Sequence, residues 1–278
     1  MRDQHCVTFL KWCLPQLGLS WAGFRKVRGT VYKRLRRRLN ALGLTDLDAY
    51  RDYLRDQVDE WRRLDELCRI PISRFYRDKG VFEALGRQVL PELARHAQAD
   101  GRRSIRAWSA GCASGEEPYS LRLVWDQMVQ PAFPATTLVI FATEIDPVML
   151  ERARTGSYGS SSLEDLPAGW QTTAFVAKNG QYCLGELHRR DVAFDQQDIR
   201  KIMPDGPFEL ILCRNLAFTY FDEETQNDVL RRLVARLALH GALVIGAHEQ
   251  LPCPADALRP LSKGLPIYIK GSADQASG

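Results

Sequence analysis

The sequence predicts an α/β protein in two parts: a small all-helical N-terminal domain, then a larger doubly wound domain with a small antiparallel β appendage. Three observations predict it. Residues 1–70 carry apolar side chains at helical spacing, with no strand-like run. After Pro71 short apolar runs alternate with amphipathic stretches, the pattern of a mostly parallel sheet with helices on both faces. Within that second part an Asn179-Gly180 pair sits at the centre of residues 175–184, a strong short-range hairpin signal. At 278 residues, 45% of them hydrophobic, the chain can bury one large core with or without a smaller one. The same composition excludes disordered, collagen-like and disulfide-scaffold classes.

In the N-terminal part, Val27, Val31, Leu35 and Leu39 repeat every four residues and predict a helix over 24–42, closed by Gly43. Thr45-Asp46-Leu47-Asp48 reads as a capping box that starts the next helix. Leu47, Tyr50, Leu54, Val58 and Trp61 carry its apolar stripe towards Leu67. The second part opens with a helix over 81–97 and continues strand 105–109, helix 115–129, strand 138–142 and helix 147–154. It ends with strands near 192–194 and at 208–213, helix 223–239, and strands 242–247 and 266–270. The expected boundaries are 1–70 for the helical domain, 71–100 for a linker and connecting helix, and 101–278 for the sheet domain, with the hairpin near 173–191.

Charge is unevenly placed. Residues 1–45 hold ten Lys or Arg against the single acid Asp3, a local charge of +9 within a chain whose net charge is only +4. A field of that kind favours an anionic partner. The seven cysteines are scattered without a C-x-x-C, so neither a disulfide framework nor a zinc site is expected, and a reducing cytoplasm is the natural setting. Apolar runs such as 138–142 are strand-length, and the N-terminal apolar tract is broken by Lys11 and Pro15, so neither membrane insertion nor a signal peptide is expected.

The loop after the first strand, Ala110-Gly111-Cys112-Ala113-Ser114-Gly115-Glu116-Glu117-Pro118, is rich in small residues and opens a helix. Ligand can approach the backbone there, and free N–H groups face it. The spacing is not G-x-G-x-x-G, no Lys follows, and two glutamates would repel a pyrophosphate. A ligand with a cationic portion fits better than a dinucleotide. The second strand ends in Glu144, an acid placed to accept hydrogen bonds from ribose hydroxyls, and the third is followed by Asp198-Ile199, suited to the edge and face of an adenine. The fourth ends in Arg214-Asn215, at the carboxyl end of a buried strand. Taken singly, each of these also reads as an ordinary loop. Their order along the chain carries the argument.

That order resembles a class I methyltransferase, and the motifs are more specific still. Ile72-Ser73-Arg74-Phe75-Tyr76-Arg77, the run from Trp108 to Ser120 with its Gly-Glu-Glu-Pro-Tyr-Ser core, Glu144-Ile145-Asp146, Cys213-Arg214-Asn215 and Tyr220-Phe221-Asp222 resemble the CheR family, chemotaxis-receptor glutamate methyltransferases that use S-adenosylmethionine. The resemblance runs from about Phe24 to Lys270 and includes the basic helix. It implies a Rossmann-like methyltransferase domain, S-adenosylmethionine as cofactor with S-adenosylhomocysteine as product, and no metal. Ser73, Arg77, Gly111, Glu117, Glu144, Asp198, Ile199, Arg214 and Asn215 become the cofactor-binding candidates by that resemblance. Arg77 and Tyr220 become the catalytic ones, steering and positioning the acceptor carboxylate. Arg34, Arg37 and Arg38 are expected to recruit an acidic or helical protein substrate, a chemoreceptor above all.

The sequence departs from the family at several points. Pro71 replaces a cofactor-contacting Asn, Ser73 a Thr, Glu144 an Asp and Asp198 an Asn. Four residues instead of three separate Asn215 from Tyr220, and Ala247-His248-Glu249-Gln250 stands where the family has Gly-His-Ser-Glu. Two other readings stay open: a catalytically weak S-adenosylmethionine-binding regulatory protein, and a methyltransferase for a small carboxylic acid or peptide. Nucleic acid is not expected, because the basic face lacks aromatic interleaving. The short appendage, with only Arg189 and Arg190 in it, predicts no receptor C-terminal pentapeptide tether.

Overall fold

The computed structural model describes residues 2–253 and 256–271. In chain order the helices and strands are α1 (Arg2–Cys13), α2 (Trp21–Phe24), α3 (Arg28–Leu42), α4 (Leu47–Asp56), α5 (Glu60–Cys68), α6 (Lys79–Ala84), α7 (Leu90–Ala99), β1 (Ser104–Ala110), α8 (Glu116–Val124), β2 (Thr137–Glu144) and α9 (Pro147–Thr155). There follow β3 (Ser157–Tyr158), α10 (Ala168–Ala174), β4 (Phe175–Lys178), β5 (Gln181–Leu184), β6 (Val192–Gln196), β7 (Phe208–Leu212), α11 (Ala217–Tyr220), α12 (Glu223–Arg236), β8 (Leu237–Val244), β9 (Leu258–Pro260) and β10 (Ile267–Lys270). They form two compact units: residues 1–70 with 216–228, and residues 71–215 with 229–278. The segment after β7 thus belongs to the helical unit.

In the helical unit α3 buries Val31, Leu35 and Leu39, the stripe its spacing predicts. The helix starts at Arg28 rather than Phe24, because α2 forms a separate turn capped by the Ser20 side chain. Gly43 ends α3 with φ +68°, a left-handed conformation that a glycine adopts at little cost. The cap of α4 is Asp46, not Thr45: its carboxylate accepts the Ala49 N–H at 2.9 Å while the Thr45 hydroxyl donates to it at 3.1 Å. A carboxylate is the stronger acceptor of the two, and it wins the N–H. The predicted single stripe from Leu47 to Leu67 breaks at Gln57, and Val58 at the break is 80% exposed.

The larger unit is a seven-stranded sheet in the order β6-β2-β1-β7-β8-β10-β9. The first five of these strands run parallel, and β10 and β9 are antiparallel to their neighbours, so the sheet is mixed. Ile105, Ala107, Leu138, Ile140, Leu210, Leu212 and Val244 form its buried strand layer, with Leu85, Leu93, Leu121 and Trp125 packed against it. Each of α6 and α8 continues into a π-helical turn, Leu85–Val89 and Trp125–Val129, and Gly86 gives the passing Met128 side chain room that a Cβ would fill. Buried Trp108 finds its hydrogen-bond partner across the ladder, donating to Thr143 Oγ1 at 2.9 Å.

Three features differ from expectation. Helix α12 passes directly into β8 at Leu237, five residues before the predicted strand, because the pairing with β7 jumps from Leu237 to Ala242 around His240, whose φ is +62°. The edge strand β9 carries no periodic signal in its three residues. The appendage has three strands in the order β3-β5-β4, so the hairpin is not an isolated pair. That removes one ground for expecting no pentapeptide tether. A polar chain anchors the appendage, running from a His188 Nδ1–Asp126 hydrogen bond of 2.7 Å to an Asp126–Arg122 ion pair of 2.9 Å.

Candidate active site

The carboxyl ends of β1, β2 and β7 and the turns that follow them hold Gly111, Glu117, Glu144, Arg214 and Asn215 of the predicted cofactor residues. After β1 the chain turns at Gly111, whose φ is +75°, and the N–H groups of Gly111 and Cys112 both donate to the Thr143 carbonyl on β2, at 2.8 and 3.0 Å. This brings the small-residue loop onto the end of β2, where Glu144 sits. One oxygen of Glu144 accepts the Ala113 N–H at 3.0 Å, and the other accepts those of Ile145 and Asp146 at 2.8 and 3.0 Å. Even so, burial outweighs these bonds and pushes the Glu144 carboxyl above its usual range.

Glu117, on the first turn of α8, accepts from the Ser109 hydroxyl at 2.7 Å and from Arg214 at 3.1 Å. Burial raises its carboxyl as well, with Arg214 the main opposing influence. Glu116 is 2% exposed, accepts from Ser114 at 3.1 Å and from Ser73, and keeps one buried oxygen without a partner. Its carboxyl too is pushed up by burial. Burial thus disfavours charge on all three glutamates, and Glu116 keeps one oxygen without a partner, a deficit of positive charge near two strand ends. A cofactor carrying a sulfonium and an ammonium fits that deficit. Glu116 enters the sequence reading with Glu117 as an acid unsuited to a pyrophosphate, but only Glu117 is named there as a cofactor residue.

At the end of β7, the Arg214 side chain is 2% exposed and its two Nη groups bind within the protein: to Asp78 at 2.7 Å, Glu117 at 3.1 Å and the Arg77 carbonyl at 2.8 Å, with Phe82 under its guanidinium at 5.1 Å, while its buried Nε has no hydrogen-bond partner. It fixes the acids; its Nη groups do not face outward. Arg77 donates to the Ile72 carbonyl at 2.9 Å and to Asn215 Oδ1 at 3.3 Å, which leaves other guanidinium donors of this half-buried side chain free. Asp198 follows β6, but Arg200 covers both its oxygens at 2.9 Å, and Ile199 beside it is buried. Tyr220 lies in the helical unit, where its ring meets Phe24 edge-on at 5.2 Å and its carbonyl accepts the Ser20 N–H at 2.8 Å.

The basic helix α3 divides its charges. Arg34 donates to the carbonyls of Leu67, at 3.1 Å, and Arg69, closing the end of α5. Arg38 grips Glu60 with two bonds of 2.8 and 2.6 Å, and the Tyr50 hydroxyl adds a third at 2.6 Å. Arg37 and Lys33 are exposed, with no ion pair among the described residues. Arg36 lines a groove with His5, Tyr32 and Arg51. Of the three predicted substrate-recruiting arginines, Arg38 is ion-paired, Arg34 is tied to backbone carbonyls, and Arg37 alone is exposed. Among the described residues no cluster of His, Cys, Asp and Glu could hold a metal, and no helix is long and apolar enough to cross a membrane.

A family model described as CheR methyltransferase, SAM binding domain, matches residues 72–263, and one described as CheR methyltransferase, all-alpha domain, matches residues 26–66. The chain is 36% identical over 196 residues to the chemotaxis protein methyltransferase of Listeria monocytogenes, covering 69% of this chain and 71% of that one. Its identity to the chemotaxis protein methyltransferase of Escherichia coli is 34% over 261 residues, covering 84% and 86%. An uncharacterized 104.1 kDa protein of Rhodobacter capsulatus is 32% identical over 234 residues, but the chain spans only 24% of that protein's length.

Proposed function

This chain belongs to the CheR methyltransferase family, and on that premise we propose that it transfers a methyl group from S-adenosylmethionine to glutamate carboxylates of an acidic or helical protein, a chemoreceptor above all. The observation that carries the proposal is the set of three glutamates near the strand ends, Glu116 buried and Glu117 and Glu144 half-buried, all with raised carboxyl pKa values. Glu117 and Glu116 suit the cationic methionine end, and Glu144 suits the ribose hydroxyls. Asn215, with Gly111 and Ser73, lines the approach. Asp198, engaged by Arg200, offers an adenine only the lone pairs that Arg200 leaves.

The bound cofactor supplies an electrophilic methyl on a sulfonium. A glutamate acceptor is already ionised at pH 7, so the chain needs no general base. Its task is to orient and to dry. Arg77 presents its free N–H donors to the acceptor carboxylate and holds it in line, at the roughly 3–3.5 Å that a reactive pair requires. Arg37 with Lys33 draws in the acidic substrate.

The raised acids give a pH signature. Folding lifts Glu117 and Glu144 above the ordinary 4.5, so their contribution to stability is present at low pH and is lost as pH rises through the folded values. A cationic ligand favours the ionised forms. Affinity for S-adenosylhomocysteine should therefore weaken as pH falls, beginning above the usual carboxylate range. Glu144→Ala should cost about 1–3 kcal/mol of that affinity, the range for hydrogen bonds to a charged group, and should flatten part of the pH profile. Calorimetric titration from pH 8 to 5 reads both. A pH-independent affinity that Glu144→Ala does not change contradicts the assignment.

A further inference from the structure

We propose that Glu249 is a positioning residue for methyl transfer, acting through Asn215 on the Arg77 guanidinium; the inference rests on the role given to Arg77 above. Glu249 lies in the loop after β8, which is the parallel neighbour of β7. It is 9% exposed, and a single oxygen of its carboxylate accepts two backbone N–H groups: Gly246 at 2.6 Å and Asn215 at 2.8 Å. The first belongs to its own loop and the second to the loop after β7. Its own N–H donates back to the Gly246 carbonyl at 3.0 Å, closing the turn. One carboxylate thus clamps two strand ends together with charge-assisted bonds, roughly twice as strong as neutral ones.

What the clamp holds is unusual. Asn215 has φ +54°, the left-handed region that a non-glycine residue occupies only when something fixes it there. Its N–H is spent on Glu249, and its Oδ1 accepts from Arg77 Nη2 at 3.3 Å. The clamp leaves no spare room: a Cβ at position 246 would lie 2.7 Å from the Glu249 carboxylate and 2.9 Å from Asn215 Oδ1. Position 246 therefore admits only glycine while the clamp is closed. The 3.3 Å bond to Arg77 is the weakest link, so the aim of the guanidinium depends on how firmly Asn215 is held. Asp78 and Glu117, the other carboxylates nearby, are bound to Arg214 and do not contact Arg77 with a hydrogen bond. Arg77 thus has two acceptors, the Ile72 carbonyl and an amide oxygen set by Glu249.

Removing Glu249 should release Asn215 and let Arg77 turn, with the cofactor acids untouched. Misplacing a reacting group by about 1 Å can cost on the order of 100-fold. Glu249→Ala should therefore lower kcat by about 10- to 100-fold. S-adenosylhomocysteine affinity should fall by a smaller factor than kcat, since Glu116, Glu117 and Glu144 keep their places while Asn215 and Arg77 shift. Glu249→Gln retains an acceptor oxygen and the side-chain volume, and should recover part of the rate.

The test is a cycle of the full-length parent, Glu249→Ala, Arg77→Ala and the double variant, assayed with a synthetic acidic helical peptide bearing one central glutamate. The same proteins are titrated with S-adenosylhomocysteine, and the Arg77 Nε–H signal is followed by NMR. The proposal expects Glu249→Ala to shift that signal and slow transfer, and to slow the Arg77→Ala protein no further. If Glu249→Ala does not fold, Glu249→Gln takes its place in the cycle. An unmoved Arg77 signal, or equal losses of rate in both backgrounds, overturns the role of Glu249 alone. If Arg77→Ala itself transfers methyl at the parent rate, the reading of Arg77 fails first.

Discussion

Replacing Arg214 by alanine should destabilise the sheet unit by about 3–5 kcal/mol and abolish cofactor binding, the range for breaking a buried ion pair by removing one partner. The guanidinium is 2% exposed and joins Asp78, at 2.7 Å, to Glu117, at 3.1 Å, from two separate helices and loops. Without it both carboxylates keep their burial and lose their counter-charge. Glu117, already raised by burial and restrained chiefly by Arg214, would then rise further and attract a cation less. The Arg77 carbonyl would lose its donor as well, loosening the segment that carries Arg77. Arg214→Lys keeps a charge but cannot span two carboxylates with a planar fork, so it should fall between parent and alanine. Urea denaturation and S-adenosylhomocysteine calorimetry measure the two effects. A stability loss under about 1 kcal/mol, in the range of an exposed pair, contradicts this account of the site.

Charge reversal at Arg38 should unfold the helical unit, whereas reversal at Arg37 should leave it folded and weaken substrate capture. Glu60 is 6% exposed and owes its ionisation first to the Arg38 hydrogen bonds, then to Tyr50. Its carboxyl pKa is lowered in the folded protein, so the pair stabilises at pH values above the unfolded carboxylate range and is lost as pH falls through the folded value. Removing Arg38 should cost about 3 kcal/mol, and a glutamate in its place adds repulsion, a large fraction of the roughly 5–15 kcal/mol that holds a domain together. Arg37→Glu should raise KM for an acidic protein substrate and reduce the salt dependence of the parent enzyme, because an exposed charge acts through a screened field. Circular dichroism separates the two variants. An Arg38→Glu protein with the parent melting temperature would refute the assignment of Arg38 to the fold.

These arginines show where reading the sequence stops. Val31, Leu35 and Leu39 announce α3 because burial acts on a local period, and the strand runs at 105–109, 138–142 and 208–213 announce the sheet for the same reason. Ten basic residues near one end announce a cationic face, but not that Arg34 and Arg38 are turned inward by α5, 22 or more positions away. The bulge at His240 and the three-residue β9 depend on pairing between strands, which no local pattern encodes. At the site the acids after β1 and β2 were legible through the order of the strand-end motifs and the resemblance they carry, since each alone also reads as an ordinary loop. Glu249 was not, since its partner Asn215 stands 34 residues earlier. The capture of Asp198 by Arg200 was within reach, being a contact two residues apart.

The central claim is that this chain esterifies glutamate, and matched substrates test it most directly. Methyl-labelled S-adenosylmethionine is incubated with the full chain and with two acidic helical peptides that differ by one glutamate-to-glutamine exchange. Predicted is label on the glutamate peptide alone, released as methanol by mild base and lost with Arg77→Ala. Label that survives base, or that appears equally on the glutamine peptide, would contradict it.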